Sequence, residues 1–183
     1  MRGLFDVREI TMKDIAPEFS RLVPLVRLGP ERFRQRIEAT AEEREGLSLR
    51  FDLLALDCLA ATVELRRESG EIILMEAVFE AEFVQSCAVT LEPVRGAISD
   101  RFSLVYGAAQ DEEPEIALTG DEAAFEPLHS DAIDIGEAVA QELSLALPVF
   151  PRHPDAIIDE VATAEPAEGP FASLARLRKA AEC

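Results

Sequence analysis

Tryptophan is absent from this chain, tyrosine occurs once at Tyr106, and histidine only at His129 and His153. Aromatic burial therefore rests on ten phenylalanines, and the histidines lack the i, i+4 partner that a helical zinc site needs. The three cysteines, Cys58, Cys87 and Cys183, are odd in number and have no paired spacing, which argues against a disulfide framework. No uncharged apolar run approaches the ~18 residues of a membrane span. The opening MRGLFDVREITMKD carries charge where a signal peptide needs an apolar stretch. A soluble, cytoplasmic protein is expected. Catalytic motifs are missing too: there is no G-x-S-x-G for a nucleophile elbow and no G-x-x-x-x-G-K-[ST] for a phosphate loop. Asp131, Gly136 and Glu142 fall on positions one, six and twelve of an EF-hand loop, but Ile133 and Ile135 stand where side-chain oxygens are required. No enzymatic activity, no metal and no cofactor are expected.

What the chain has in excess is negative charge. Acidic residues number 36 against 18 basic, a formal charge of −18 over 183 residues. Such a balance serves solubility, repels phosphate backbones and anionic membranes at long range, and attracts basic partners. The excess is concentrated. From Phe102 to Pro151 there are 11 acidic residues and no lysine or arginine: Asp111, Glu112, Glu113, Glu115, Asp121, Glu122, Glu126, Asp131, Asp134, Glu137 and Glu142. Hydrophobic residues, at 48 %, are enough for one ordinary core.

The hydrophobic pattern predicts α+β structure. FSRLVPLVRL (19–28) reads as a strand, with Pro24 favouring an edge. PERFRQRIEATAEERE (30–45) reads as a helix, with Phe33, Ile37 and Thr40 at helical spacing and Gly46 ending it. From Leu59 the period becomes two: Leu59, Ala61, Val63 and Leu65 alternate with polar or small residues. Ser69-Gly70 marks a turn. Ala77, Phe79, Ala81 and Phe83 then alternate with Glu76, Glu80 and Glu82. Residues 87–91 extend that strand until Pro93 breaks it, and FSLVY (102–106) is a further strand. QDEEPE (110–115) reads as a solvated loop. Asp134 and Glu137 form a D-x-x-E capping box ahead of a stripe of Ile135, Ala138, Val139, Leu143, Ala146 and Leu147. Pro148, Pro151 and Pro154 stop that helix and set an extended segment that presents Phe150 and Arg152; alternatively, Phe150 caps the core and Arg152 pairs with a carboxylate.

Four blocks, FVQSCAVTLEPV (83–94), IDIGEAVAQELSLAL (133–147), FPRHPDA (150–156) and PFASLARL (170–177), resemble the YceD-like family of large ribosomal RNA subunit accumulation proteins. With the N-terminal region the resemblance spans residues 19–178. It implies a role in ribosome biogenesis, supporting accumulation of 23S rRNA, without enzymatic activity. The matching positions are Cys87, Leu91, Glu92 and Pro93, then Asp134, Gly136, Glu137 and Leu143, then Phe150, Pro151 and Arg152. Two departures stand out. The C-x-x-C of many members is here Cys87-Ala88-Val89-Thr90, with one thiol, and the Asp-Pro before the aromatic is Pro148-Val149.

The expected fold is therefore a single α+β domain over residues 18–155, between an extension (1–17) and an Ala/Pro-rich acidic tail (156–183) with a short amphipathic segment. Its sheet is expected to be antiparallel, with barrel-like closure as one form, and flanked by helices. The expected partner-binding positions are Cys87, Glu92, Pro93, Asp134, Gly136, Glu137, Phe150, Pro151 and Arg152. Arg32, Arg34, Arg36 and Arg44 are opposed by Glu31, Glu38, Glu42, Glu43 and Glu45, which disfavours a basic RNA-binding patch. The expected partner is a basic large-subunit ribosomal protein or assembly factor, with rRNA association indirect. The alternatives are a metal- or redox-linked module centred on Cys87, a hydrolase using paired carboxylates, or direct rRNA binding.

Overall fold

A computed structural model describes residues 17–68, 72–108, 124–128 and 130–157. Three long strands dominate: β3 (Ala55–Arg67), β4 (Ile73–Ser86) and β5 (Pro93–Ala108). Each follows from the period-two pattern. In β4 the odd-numbered residues from Ile73 to Phe83 are buried, while Glu76, Val78, Glu80 and Glu82 are exposed. The sheet order is β2-β3-β4-β5-β6, with β2 Phe33–Glu38 and β6 Ala124–Leu128 at its edges. Pairing is antiparallel except between β5 and β6, which run parallel. The wholly antiparallel expectation thus fails at one pair, and the sheet does not close into a barrel.

One sheet face is covered. Leu59, Val63, Leu65, Met75, Phe79 and Phe83 join Leu47 of helix α1 (Ala41–Arg50) and Ile135, Val139 and Leu143 of helix α2 (Ile135–Ala146) in one core. The Phe102 ring meets Phe79 edge-on at 6.1 Å. Burying each large apolar side chain contributes roughly 1.5–3 kcal/mol, so this face carries most of the stability. A separate ribbon pairs β1 (Leu22–Pro24) with β7 (Ala132–Asp134) and leads directly into α2. Among the described residues, no helix is long and apolar enough to cross a membrane.

Local corrections are instructive. Residues 33–38, expected in a helix, form strand β2, because Phe33 and Ile37, four apart, satisfy period two as well as period 3.6. The helix begins only at Ala41. Thr40 caps it by accepting the Glu43 N–H, while Glu43 accepts the Thr40 N–H. Gly46 lies inside that helix rather than after it. The 19–28 strand is only three residues long, followed by a 3-10 turn at Leu25–Arg27. Residues 87–91 turn the chain, with Leu91 at φ 62°, and Pro93 starts β5 instead of ending a strand. Ser69-Gly70, the 110–115 loop, His129, and the extension and tail up to residue 16 and from 158 lie outside the described residues.

Candidate functional site

The expected site residues separate into two places. Asp134, Gly136 and Glu137 form a junction at the start of α2. The Asp134 Oδ1 accepts the N–H groups of Arg21 at 2.7 Å and of Gly136 and Glu137 at 3.1 Å each, and Oδ2 accepts the Ser20 hydroxyl at 2.5 Å. One carboxylate thereby caps the helix and ties strand β1 to it. The capping box itself is only half made. The Glu137 carboxylate turns instead to Arg50, with contacts of 2.7 and 2.9 Å, and Arg50 also reaches Glu18 at 3.0 Å. A bidentate, charge-assisted pair outweighs a single bond to a backbone N–H, and it holds the Glu137 carboxyl below its usual range. A similar fork joins Arg21 to Glu43 at 2.6 and 2.9 Å. Through it Glu43 is lowered to about 2, chiefly by the Arg21 hydrogen bond.

Asp134→Ala should accordingly cost more than a lone cap. Four donors lose their acceptor, two of them from outside the helix, so a loss of about 2 kcal/mol is expected. Asp134→Asn keeps one oxygen for the three N–H donors and should retain most of the stability. Equal melting temperatures for the alanine variant and the parent chain would count against this role.

The second place is the turn after β4. The Cys87 N–H donates to the Glu92 carbonyl at 2.8 Å, and the Leu91 N–H returns to the Cys87 carbonyl at 3.0 Å. The thiol is buried, and its Sγ accepts three N–H groups, from Val89 and Thr90 at 3.4 Å and from His153 at 3.3 Å. Ala88 N–H donates to the Pro151 carbonyl at 2.8 Å. The proline-spaced segment after α2 is thus bound to this turn by its backbone, at Pro151 and at His153. Cys87, Pro151 and Arg152 come together; Asp134 and Gly136 serve the other junction. Among the described residues, no group of three or more His, Cys, Asp or Glu side chains is placed to hold a metal ion.

The His153 N–H foremost, then the Thr90 side chain and the Thr90 and Val89 N–H groups, lower the Cys87 thiol from 9.0 to about 6, against the burial that raises it. The folded pKa lies below the unfolded one, so the thiolate stabilises the fold fully above pH 9 and loses that effect as pH falls to about 6. The melting-temperature difference between the parent and Cys87→Ser should therefore widen from pH 6 to pH 9. A serine hydroxyl accepts the same donors but stays neutral in that window, so a flat difference would refute the thiolate.

A groove of about 570 Å³ lies between Arg50, the partner of Glu137, and Ala88 of the Cys87 turn: Phe51 and Asp52, the end of β4 at Gln85 and Ser86, Ser144 and Leu147, and Pro148, Val149 and Pro151 complete its walls. Gln85 donates to the Pro148 carbonyl at 3.1 Å. Beside it, Phe150 is 76 % exposed and Val149 81 %, so the aromatic does not cap the core. Arg152 is exposed and takes part in none of the ion pairs among the described residues. Glu92 and Pro93 are exposed on the same turn. The sequence did not single out Arg50, Arg95 or His153 for this region. Arg50 carries no local motif, and His153 acts through its backbone.

The open sheet face is different in character. Its cross-strand rows read Arg34–Glu64–Glu76–Ser103, Arg36–Thr62–Val78–Arg101 and Glu38–Ala60–Glu80–Ser99. Arg32 and Arg34 both approach Glu64, at 3.6 and 3.4 Å. No ring stands in these three rows, where carboxylates alternate with the arginines; the next row, Arg66–Leu74–Val105–Phe125, carries one, half-buried at the sheet edge.

Neither the curated proteins nor the solved structures contain a match to this chain. A family model does match: the one described as Large ribosomal RNA subunit accumulation protein YceD, over residues 75–178. That span covers more than half of the sequence and contains the Cys87 turn, the Asp134 junction, all of α2 and the Phe150-Pro151-Arg152 segment. The chain belongs to the YceD family.

Proposed function

We propose that this protein supports accumulation of large-subunit ribosomal RNA by binding a basic ribosomal protein or assembly factor, without catalysis of its own. The family assignment supports the first half of that reading. The charge supports the second: a chain of −18 repels naked RNA and draws cationic polypeptides. The described part of the acidic stretch agrees. Burial and the nearby Asp100 and Glu126 raise the Glu142 carboxyl above its usual range. Glu142 of α2 thus stands near two further carboxylates, one on β5 and one on β6. RNA-reading sheets present several aromatic rings to unstacked bases, and the described rows of this face hold one, the half-buried Phe125 of edge strand β6. The site of action follows as the cytoplasm, where large subunits are assembled.

The experiment is capture of partners from a lysate of the source cell, with and without ribonuclease. A large-subunit ribosomal protein or assembly factor retained after ribonuclease supports the protein-mediated route. Capture of rRNA alone, lost on digestion, would replace it with direct binding.

A further inference from the structure

Arg95, Arg152 and His153 line one groove of about 560 Å³, whose remaining walls are Val84, Pro93, Val94 and Pro154. Three groups able to carry positive charge thus meet at an apolar floor in a protein of net charge −18. Arg152 is exposed, and Arg95 has one partner, Asp57 at 3.2 Å, on a side chain 83 % exposed. The His153 Nδ1 accepts the Asp155 N–H at 3.3 Å and lies 3.7 Å from the Asp155 carboxylate; in the neutral ring the proton then sits on Nε2, which is a donor. The segment is fixed in advance. Pro151 and Pro154 set their φ angles, the Pro151 carbonyl holds Ala88, and the His153 N–H is held by the Cys87 Sγ. Little backbone entropy therefore remains to oppose a ligand, which has only the arginine side chains to order.

We propose that this groove receives a single carboxylate, an Asp or Glu side chain within an extended segment of an otherwise basic protein partner. Arginine's planar fork suits a carboxylate, and Val84, Pro93 and Val94 suit an aliphatic neighbour of that residue. The rest of the molecule decides what carries it. A polyanion, whether RNA strand or acidic tail, is repelled by the surrounding charge, whereas a basic segment is drawn in. One carboxylate on a basic segment satisfies both fields. The basic character of the partner rests on the proposed function; the groove's own chemistry does not.

The probe is the peptide Lys-Lys-Val-Glu-Val-Lys-Lys, acetylated and amidated, titrated into the full chain while the arginine Nε–H signals are followed by NMR. It should shift Arg152 and Arg95 and bind about fivefold more tightly than its Gln analogue. Arg152→Gln should erase that ratio, and Arg101→Gln, on the open sheet face, should preserve it. Equal affinity of the Glu and Gln peptides, or a ratio unchanged in Arg152→Gln, would overturn the proposal. So would a Gln analogue with a free C-terminus that binds as tightly as the Glu peptide, or an oligouridylate that displaces the peptide from these arginines. No ribosomal component enters this test, so its failure is separable from a failure of partner capture.

Discussion

Gly136→Ala is expected to cost about 3 kcal/mol and to lower the melting temperature by roughly 6–12 °C. A Cβ at this position would lie within van der Waals overlap of the Phe19 carbonyl oxygen and 3.0 Å from the Arg21 nitrogen. Both are backbone atoms of the segment that leads into β1, so no side-chain rotation can relieve the clash. Either that segment withdraws or helix α2 does. Withdrawal would loosen the Asp134 bonds to Ser20 and Arg21 and uncover Phe19, which is fully buried. Gly29→Ala is the control, since a Cβ there meets nothing within 4 Å. It should be neutral or slightly stabilising. A Gly136→Ala protein melting within about 2 °C of the parent would show that the β1–α2 contact is not a stability determinant.

This result bears on what the D-I-G-E block does. The aspartate caps and cross-links, the glycine permits close approach of another backbone, and the glutamate is held by Arg50. These are structural tasks that place α2 and aim the segment following it. The segment presents Phe150, exposed, and Arg152, at a groove, both on a backbone fixed by the Cys87 turn.

The helix α2 was legible because Asp134 and its apolar stripe agree, and the alternation of β3 and β4 was legible because both strands are long. Strand β2 was not. Two apolar residues four apart fit either period, and the T-x-x-E signal at Thr40–Glu43, three residues later, marks where the helix really starts. The parallel pairing of β6 left no local trace, because it depends on a connection and not on the strand's own residues. At the site, Phe150 and Arg152 could be picked out from the proline spacing. Their attachment to Cys87 could not, since His153 and Ala88 contribute backbone N–H groups that any residue but proline would supply. Arg50 bonds Glu137 across 87 positions, a separation that sequence spacing does not encode.

Removing acidic charge should act mainly on the rate of association. Replacing Asp111, Glu112, Glu113 and Glu115 by Asn and Gln takes four charges from a stretch with 11 acidic residues and no lysine or arginine. Individual exposed pairs are weak and screened, but a dense field of one sign steers an oppositely charged partner. With a basic large-subunit ribosomal protein as ligand, the on-rate should fall by about tenfold at low salt while the off-rate changes little. Raising salt should slow the parent protein toward the variant. Arg152→Ala should do the reverse, hastening dissociation and leaving the on-rate nearly unaltered. Equal on-rates for parent and variant at low salt would mean that the acidic stretch does not steer.

The protein-mediated route is tested most directly by one capture from lysate, divided in two and treated or not with ribonuclease before washing. The account predicts that a basic large-subunit ribosomal protein or assembly factor stays bound in both halves, and that purified 23S rRNA binds poorly at physiological salt. Sub-micromolar binding of naked 23S rRNA, with no basic protein retained after digestion, would contradict it and turn attention to Arg34 and Arg36 on strand β2 and Arg32 just before it.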